Sequence, residues 1–193
     1  FIAFHAKGFP RIVDAPAGPH VRMDLGLQLR DIAAGFEIVK SYPALAHLPV
    51  IIGESDPEGC AACSVKDNPH NAYRNGTLYS SYTAASFPRK LELADRSGAQ
   101  LLGAVTWAFE FEDQPWFAGF RSLATNGVAK PVLSVFRMFG MMSGHRVAVS
   151  GGTGYDALRI VEGGVRGAPD IDAFAARDGG TATVLLWNYH DDD

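Results

Sequence analysis

The chain has 193 residues, the length of one domain or of a domain with a small appendage, and 47% apolar with 20% charged residues place it with globular proteins, away from disordered ones. Its 17 Lys and Arg against 21 Asp and Glu give a net charge of −4 with no basic stripe, which argues against a nucleic-acid surface and favours a small uncharged ligand. No apolar run approaches the roughly 18 residues of a membrane span, and two cysteines are too few for a disulfide framework. In chain order, Phe1-Ile2-Ala3-Phe4-His5-Ala6-Lys7-Gly8 reads as a buried strand ended by Gly, with no initiator Met, signal peptide or polar lead-in. This reading expects a sequence that begins mid-fold, and it leaves the compartment open.

After a Pro/Gly-rich loop over 9–20, Leu25, Leu29, Ile32, Phe36 and Val39 recur at the spacing of one helical face, with Asp24 placed to cap the start and Pro43 to stop it. Pro49-Val50-Ile51-Ile52-Gly53-Glu54 is a short continuous apolar run, as in a central parallel strand covered on both faces, with a carboxylate at its C-terminal end. A loop over 55–75 precedes a helix predicted for 77–96, with Leu78, Tyr82, Ala85 and Leu91 inward, a kink at Pro88 and a C-cap at Gly98. A third strand is predicted for 101–109, then an acidic aromatic loop over 110–121, then a helix over 128–142 with Val132, Val135, Phe136 and Phe139 on one side.

From His145 the pattern changes to short runs over 146–149, 157–161, 171–176 and 181–189, separated by Gly-rich turns, with Asp178-Gly179-Gly180 as a hairpin signal. The reading is an α/β chain in two parts: three βα units over 1–142 and part of an antiparallel β domain, a sandwich by preference, over 145–193. Repeated βα units allow a doubly wound sheet or an eight-stranded TIM barrel. Polar groups at all three strand ends (His5 with Lys7, Glu54, and Trp107 with Glu110 and Glu112), and the lack of a Gly-rich phosphate loop, favour the barrel. Three units would then be its last three-eighths.

Glu54 is the first candidate for chemistry, because a charge at the end of an apolar strand is costly unless paired; it reads either as a functional carboxylate or as a strand-end group accepting loop N–H bonds. Cys60-Ala61-Ala62-Cys63 lacks a second ligand pair and a helix start, so it reads as a loop staple or as free thiols. His20, His47, His70, His145 and His190 show no metal-ligand spacing, and 191–193 reads as a solvated acidic turn.

Ile51-Ile52-Gly53-Glu54-Ser55-Asp56-Pro57, Asn71-Ala72-Tyr73-Arg74-Asn75-Gly76 and Thr106-Trp107-Ala108-Phe109-Glu110-Phe111-Glu112-Asp113 together resemble the C-terminal part of the catalytic barrel of glycoside hydrolase family 39, the β-xylosidases. Phe4-His5-Ala6-Lys7-Gly8 looks like that family's sixth barrel strand, and 130–138 like its eighth helix. The resemblance covers residues 1–142 and continues loosely into the family's accessory β-sandwich. It implies a retaining hydrolysis by two carboxylates, with no cofactor and no metal, in which Glu54 is the nucleophile. The family's acid/base follows an Asn at the end of strand four; no Asn-Glu pair occurs here, so that residue is expected upstream of Phe1. Trp107 matches a sugar-platform tryptophan, Glu110 and Glu112 are placed to meet sugar hydroxyls, and His5 to meet a hydroxyl or orient Glu54. Lys7 stands where relatives have a tyrosine, and a cation there favours an ionised Glu54.

The resemblance therefore implies a fragment of a β-xylosidase acting on terminal xylose of xylo-oligosaccharides, inactive by itself. Its partner is a small neutral saccharide, with no nucleic acid and no membrane. The alternatives are a non-catalytic carbohydrate-binding piece and a relative acting on another glycoside such as an iduronide.

Overall fold

The computed structural model describes residues 1–192 except Phe109 and Glu112. The elements in chain order are β1 (Ile2–His5), β2 (Arg11–Val13), β3 (His20–Arg22), α1 (Leu25–Lys40), β4 (Val50–Glu54), a 3-10 helix (Pro69–Asn75), α2 (Thr77–Ser97), β5 (Leu101–Ala104), β6 (Ala124–Thr125), β7 (Val128–Ala129), α3 (Pro131–Gly140), β8 (His145–Val147), α4 (Ala157–Gly163), β9 (Asp170–Asp178) and β10 (Thr181–Tyr189). The chain is thus a mixed α/β structure with one parallel and several antiparallel sheets. None of its described helices is long and apolar enough to cross a membrane.

The parallel sheet has the order β1-β4-β5, with β4 in the middle as its continuous apolar run requires. Pairing outlasts the strands proper: Ala6 N–H donates to Glu54 O at 3.0 Å, Gly8 N–H to Asp56 O at 3.0 Å and Ser55 N–H to Val105 O at 2.8 Å. One face is packed by the helices. Phe4 meets Phe36 of α1 edge-on at 6.0 Å, and a Cβ at Gly35 would fall 2.5 Å from the Phe4 ring, so only glycine lets helix and strand approach this closely. The other face is open: Ala3 and His5 are exposed, Ile51 is half-buried and Leu102 is 67% exposed. Alternation of buried and open positions is what a period of two imposes on a sheet covered on one side.

The second sheet, ordered β10-β9-β8, is antiparallel, with Gly179 and Gly180 forming the two-residue turn between β9 and β10. Leu185, Trp187 and Tyr189 point inward and join a core shared with α1, α2 and α3, while Val184 and Leu186 face out. Strand β10 lies against α2.

Several expectations need correction. The loop over 9–20 contains β2, and its end starts β3, the two forming a hairpin. Residues 128–129 are not helical but pair with 124–125, so the third helix starts at Pro131, where a ring-fixed φ suits the first turn. The third strand ends at Ala104, because Asp56 captures the Thr106 hydroxyl and the Trp107 N–H; the end of its expected range, Phe109, lies outside the described residues. The run over 157–161 is the helix α4, whose first turn is capped by Asp156 accepting the Arg159 N–H at 2.8 Å.

Asp24 does not cap α1. It sits at φ 56 with its carboxylate on Arg11 and Arg166, and Asp191 accepts the Leu25 N–H instead, at 3.0 Å. The acidic end is accordingly no solvated turn: Asp191 is fully buried and Asp192 is paired with Arg22, while Asp193 lies outside the described residues. In α2 the buried face carries Ser86, Arg89 and Lys90 beside Tyr82, Ala85 and Leu93, whereas Leu91 is half-buried. Gly98 ends that helix in the left-handed region, as expected.

Candidate active site

The register of β1 on β4 sets His5 beside Glu54, and the continued pairing of Ala6 and Gly8 brings Lys7 over the same strand end. The Lys7 ammonium contacts Glu54 Oε2 directly and lies 3.7 Å from Asp56 Oδ2. His5 Nδ1 stands 3.7 Å from Glu54 Oε1, and its ring rests 3.2 Å from where a Cβ on Gly53 would be, so a side chain there would displace the imidazole. From the segment that follows β5, the Trp107 ring lies 5.8 Å from Lys7 Nζ. His5 and Glu54 at the ends of β1 and β4, and Lys7 and Trp107 just beyond β1 and β5, therefore meet at the C-terminal end of the sheet.

The Glu54 carboxyl is held below the usual glutamate range by its hydrogen bond to Lys7, against a smaller opposing effect of desolvation, with further help from the charges of Lys7, His5 and Arg121. Its side chain keeps 19% exposure, so an ionised oxygen is open to a reactant. The arrangement can hold a carboxylate charged and present it beside an aromatic face that is 45% exposed at Trp107.

Beneath these groups runs a buried ionic cluster. Asp56, with no exposed surface, accepts the Trp107 N–H at 2.9 Å and the Thr106 hydroxyl, while Arg121 donates Nε to the Trp107 carbonyl at 2.9 Å and lies 3.2 Å from Asp56 Oδ2. The Trp107 peptide is gripped on both sides. Arg121 also pairs with Glu58 at 2.6 Å, and Arg74 does so at 2.8 Å; the Tyr73 hydroxyl completes the Glu58 shell. From α1, Gln28 Nε2 donates to the carbonyls of Ala6 at 3.2 Å and Asp56 at 2.9 Å, and Tyr82 supports the Gln28 oxygen at 2.8 Å. Each of these polar groups answers a buried backbone or charge that would otherwise go unpaired.

Asp56, Arg74, Arg121 and Gln28 are not among the candidate site residues read from the sequence, and Tyr82 is read there only as an inward-facing helix residue. The available signal was Glu54-x-Asp56-x-Glu58, three carboxylates within five residues after an apolar strand, of which Asp56 and Glu58 are buried.

Of the remaining candidates, Glu110 is exposed, and its Oε1 accepts the Gly127 N–H at the β6–β7 turn. Glu112 lies outside the described residues. Cys60 and Cys63 form a disulfide, the staple of the two readings left open. Its loop offers carbonyls to the cluster: Cys60 and Cys63 accept from Arg74, and Ala61 accepts the Arg121 N–H. Among the described residues no three His, Cys, Asp or Glu side chains converge as metal ligands. No family model matches the chain, and no curated protein matches it in sequence.

Proposed function

We propose that residues 1–142 form strands six to eight of a retaining β-xylosidase barrel of the glycoside hydrolase family 39 type, that the sheet β8–β10 is one layer of its accessory β-sandwich, and that Glu54 is the nucleophile. The observation that carries this reading is Glu54 itself, ionised beside Lys7 at the C-terminal end of the middle parallel strand, with His5 and Trp107 brought to it from both flanking strands. The open face and the two edge strands β1 and β5 support further barrel neighbours, and the outward Ile171, Val184 and Leu186 support a second sandwich layer.

On this reading a Glu54 oxygen attacks the anomeric carbon as the bond to the leaving oxygen breaks, and a carboxylic acid from a strand outside residues 1–193 protonates that oxygen. A water deprotonated by the same group then attacks the anomeric carbon, the glycosyl–Glu54 ester bond breaks, and Glu54 returns as a carboxylate with configuration retained. Lys7 keeps Glu54 ionised between turnovers, and Trp107 offers its face to the sugar ring. His5 meets a hydroxyl, and Glu110 and Glu112 act from the acidic loop. A neutral glycone is supported by the pairing of the nearby cations: Lys7 is engaged by Glu54 and Asp56, and Arg74 and Arg121 by Glu58 and Asp56.

The test is inactivation of the complete barrel by a 2-deoxy-2-fluoro-xyloside followed by peptide mapping. The expected adduct is on Glu54; an adduct on another carboxylate overturns the assignment. Residues 1–193 alone are expected to show no meaningful turnover, since loss of the general acid costs on the order of 10²–10⁴-fold. Robust hydrolysis of an aryl xyloside by this chain would place the acid/base within it.

A further inference from the structure

We infer that the cleft between the disulfide loop and the aromatic loop is a second saccharide subsite, which seats a neutral pyranose ring on Trp116 and Phe117. The inference rests on the glycosidase reading above and extends it to a second sugar unit of an oligosaccharide. The cleft has a volume of about 530 Å³ and is walled by Ala62 and Val65 on one side and by Pro115, Trp116, Phe117 and Phe120 on the other. Both walls are loops that leave the C-terminal ends of β4 and β5, the strands that carry Glu54 and lead to Trp107. Phe120 and Ala62 adjoin Arg121 and Ala61, which are bonded to each other at 2.9 Å, and the Arg121 guanidinium reaches the Trp107 carbonyl. The loops that wall the cleft are thus tied to the Trp107 backbone through Arg121.

Three features point to an occupant with an apolar face and a hydroxyl rim. Trp116 is 59% and Phe117 45% exposed, and two large neighbouring rings left in solvent mark a binding surface more than a packing one. Phe117 is held at φ 51, a region that disfavours any side chain, by its N–H on Thr125 Oγ1 at 3.1 Å and by the Asn75 amide on its carbonyl at 2.9 Å. Val65 N–H fixes the next carbonyl at 2.8 Å. Backbone strain maintained at the rim of a cavity is a feature of ligand sites.

The rim itself is polar and balanced in charge. Asp67 accepts the N–H of Ser64 at 3.1 Å and its hydroxyl at 2.8 Å, and Lys66 stands beside it. One anion and one cation favour an uncharged ligand with hydroxyls over a charged one.

The test uses this chain labelled with ¹⁵N at its three tryptophans and titrated with xylotetraose or cellotetraose, with the buried Trp187 indole as the reporter of folding. The Trp116 indole resonance is expected to shift saturably, and Trp116→Ala to weaken binding by about tenfold. Phe117→Gly removes the second ring at a position glycine adopts without strain, so binding is expected to weaken with Tm unchanged or higher. A Trp116 resonance unmoved by either sugar, or full binding by folded Trp116→Ala, overturns the subsite. A response to cellotetraose alone supports the subsite and counts against the xyloside reading. An unmoved Trp116 together with a fluoro-xyloside adduct on Glu54 does the reverse.

Discussion

Two ionic clusters in this molecule look alike on paper and behave oppositely. At the end of the parallel sheet, Lys7, Arg74 and Arg121 face Glu54, Asp56 and Glu58. Under the antiparallel sheet, Arg89 pairs with Asp170 at 2.9 Å and Asp172 at 2.8 Å and lies over Trp187, whose indole N–H donates to Asp170 at 3.0 Å. The Glu54 carboxyl is pulled down by a hydrogen bond from Lys7, whereas burial pushes the Asp170 carboxyl up despite Arg89. Asp170 has no exposed surface and its oxygens are consumed by the arginine and the indole; Glu54 keeps one side toward solvent. Both carboxylates are paired with a cation; what separates them is that the Glu54 side chain keeps surface toward solvent and that of Asp170 keeps none.

The largest expected effect separates the two clusters by rate. On the proposed glycosidase reading, Glu54→Ala in the complete enzyme is expected to lower kcat on the order of 10⁴–10⁶-fold, and azide to restore turnover with an inverted product, read by NMR of the released sugar. Lys7→Met is expected to move the acidic limb of kcat/KM to higher pH, because the folded Glu54 pKa is lowered and its charge persists below the ordinary glutamate range only while Lys7 is present. An unmoved limb would detach Lys7 from the nucleophile.

Asp170→Ala sharpens the contrast from the other side. It leaves Arg89 to Asp172 and Glu92 and the Trp187 N–H without an acceptor, so denaturant unfolding is expected to show a loss of about 3–5 kcal/mol with kcat unchanged. A kcat loss matching that of Glu54→Ala would erase the distinction.

Lys90 tests burial without a carboxylate partner. It is fully enclosed between Ser86 Oγ at 3.3 Å and the Ser55 carbonyl at 3.5 Å, over the Phe87 ring, and burial lowers its pKa to about 7. A folded pKa below the unfolded one means that the unfolded chain binds the extra proton between them, so stability rises with pH from about 7 toward the ordinary lysine value. Lys90→Met is expected to raise stability at pH 7 by about 1–4 kcal/mol and to flatten that rise in Tm, leaving the smaller slope from Lys130, lowered to about 8. The smallest effect is that of Glu110→Gln, with a stability change within about 0.5 kcal/mol by denaturant titration, since its bond to the Gly127 N–H is exposed.

Periodicity read well wherever apolar residues carried the packing. The helix α1, the Gly98 cap and the Gly179–Gly180 turn were legible because each depends on neighbours close in sequence, and the parallel strands because a short continuous apolar run marks a buried strand even when its partners are distant. What escaped depends on distant partners. The run over 157–161 is read as a strand, but Ala157, Ile160 and Val161 stand at helical spacing, Asp156 caps the first turn and α1 packs on it. Asp24 has the residue type of a cap and lost that role to Asp191, 166 positions from Leu25. At the site, Glu54, Lys7, His5 and Trp107 were visible because strand ends collect polar groups. Arg121 was hidden in a loop, where nothing local says that it will grip the Trp107 peptide.

The clasp made by Asp191 has a mechanical consequence. Its carboxylate holds the Leu25 N–H, the Val165 N–H at 2.7 Å and the Tyr189 hydroxyl at 2.6 Å, and its own carbonyl accepts the Met23 N–H at 2.7 Å. Tension applied at residue 192 is thus delivered to the first turn of α1 and, through Gln28 one turn further on, to the carbonyls of Ala6 and Asp56 that frame Glu54. Residues 191–192 and the strand end at Glu54 are therefore joined by one run of hydrogen bonds through the first turns of α1.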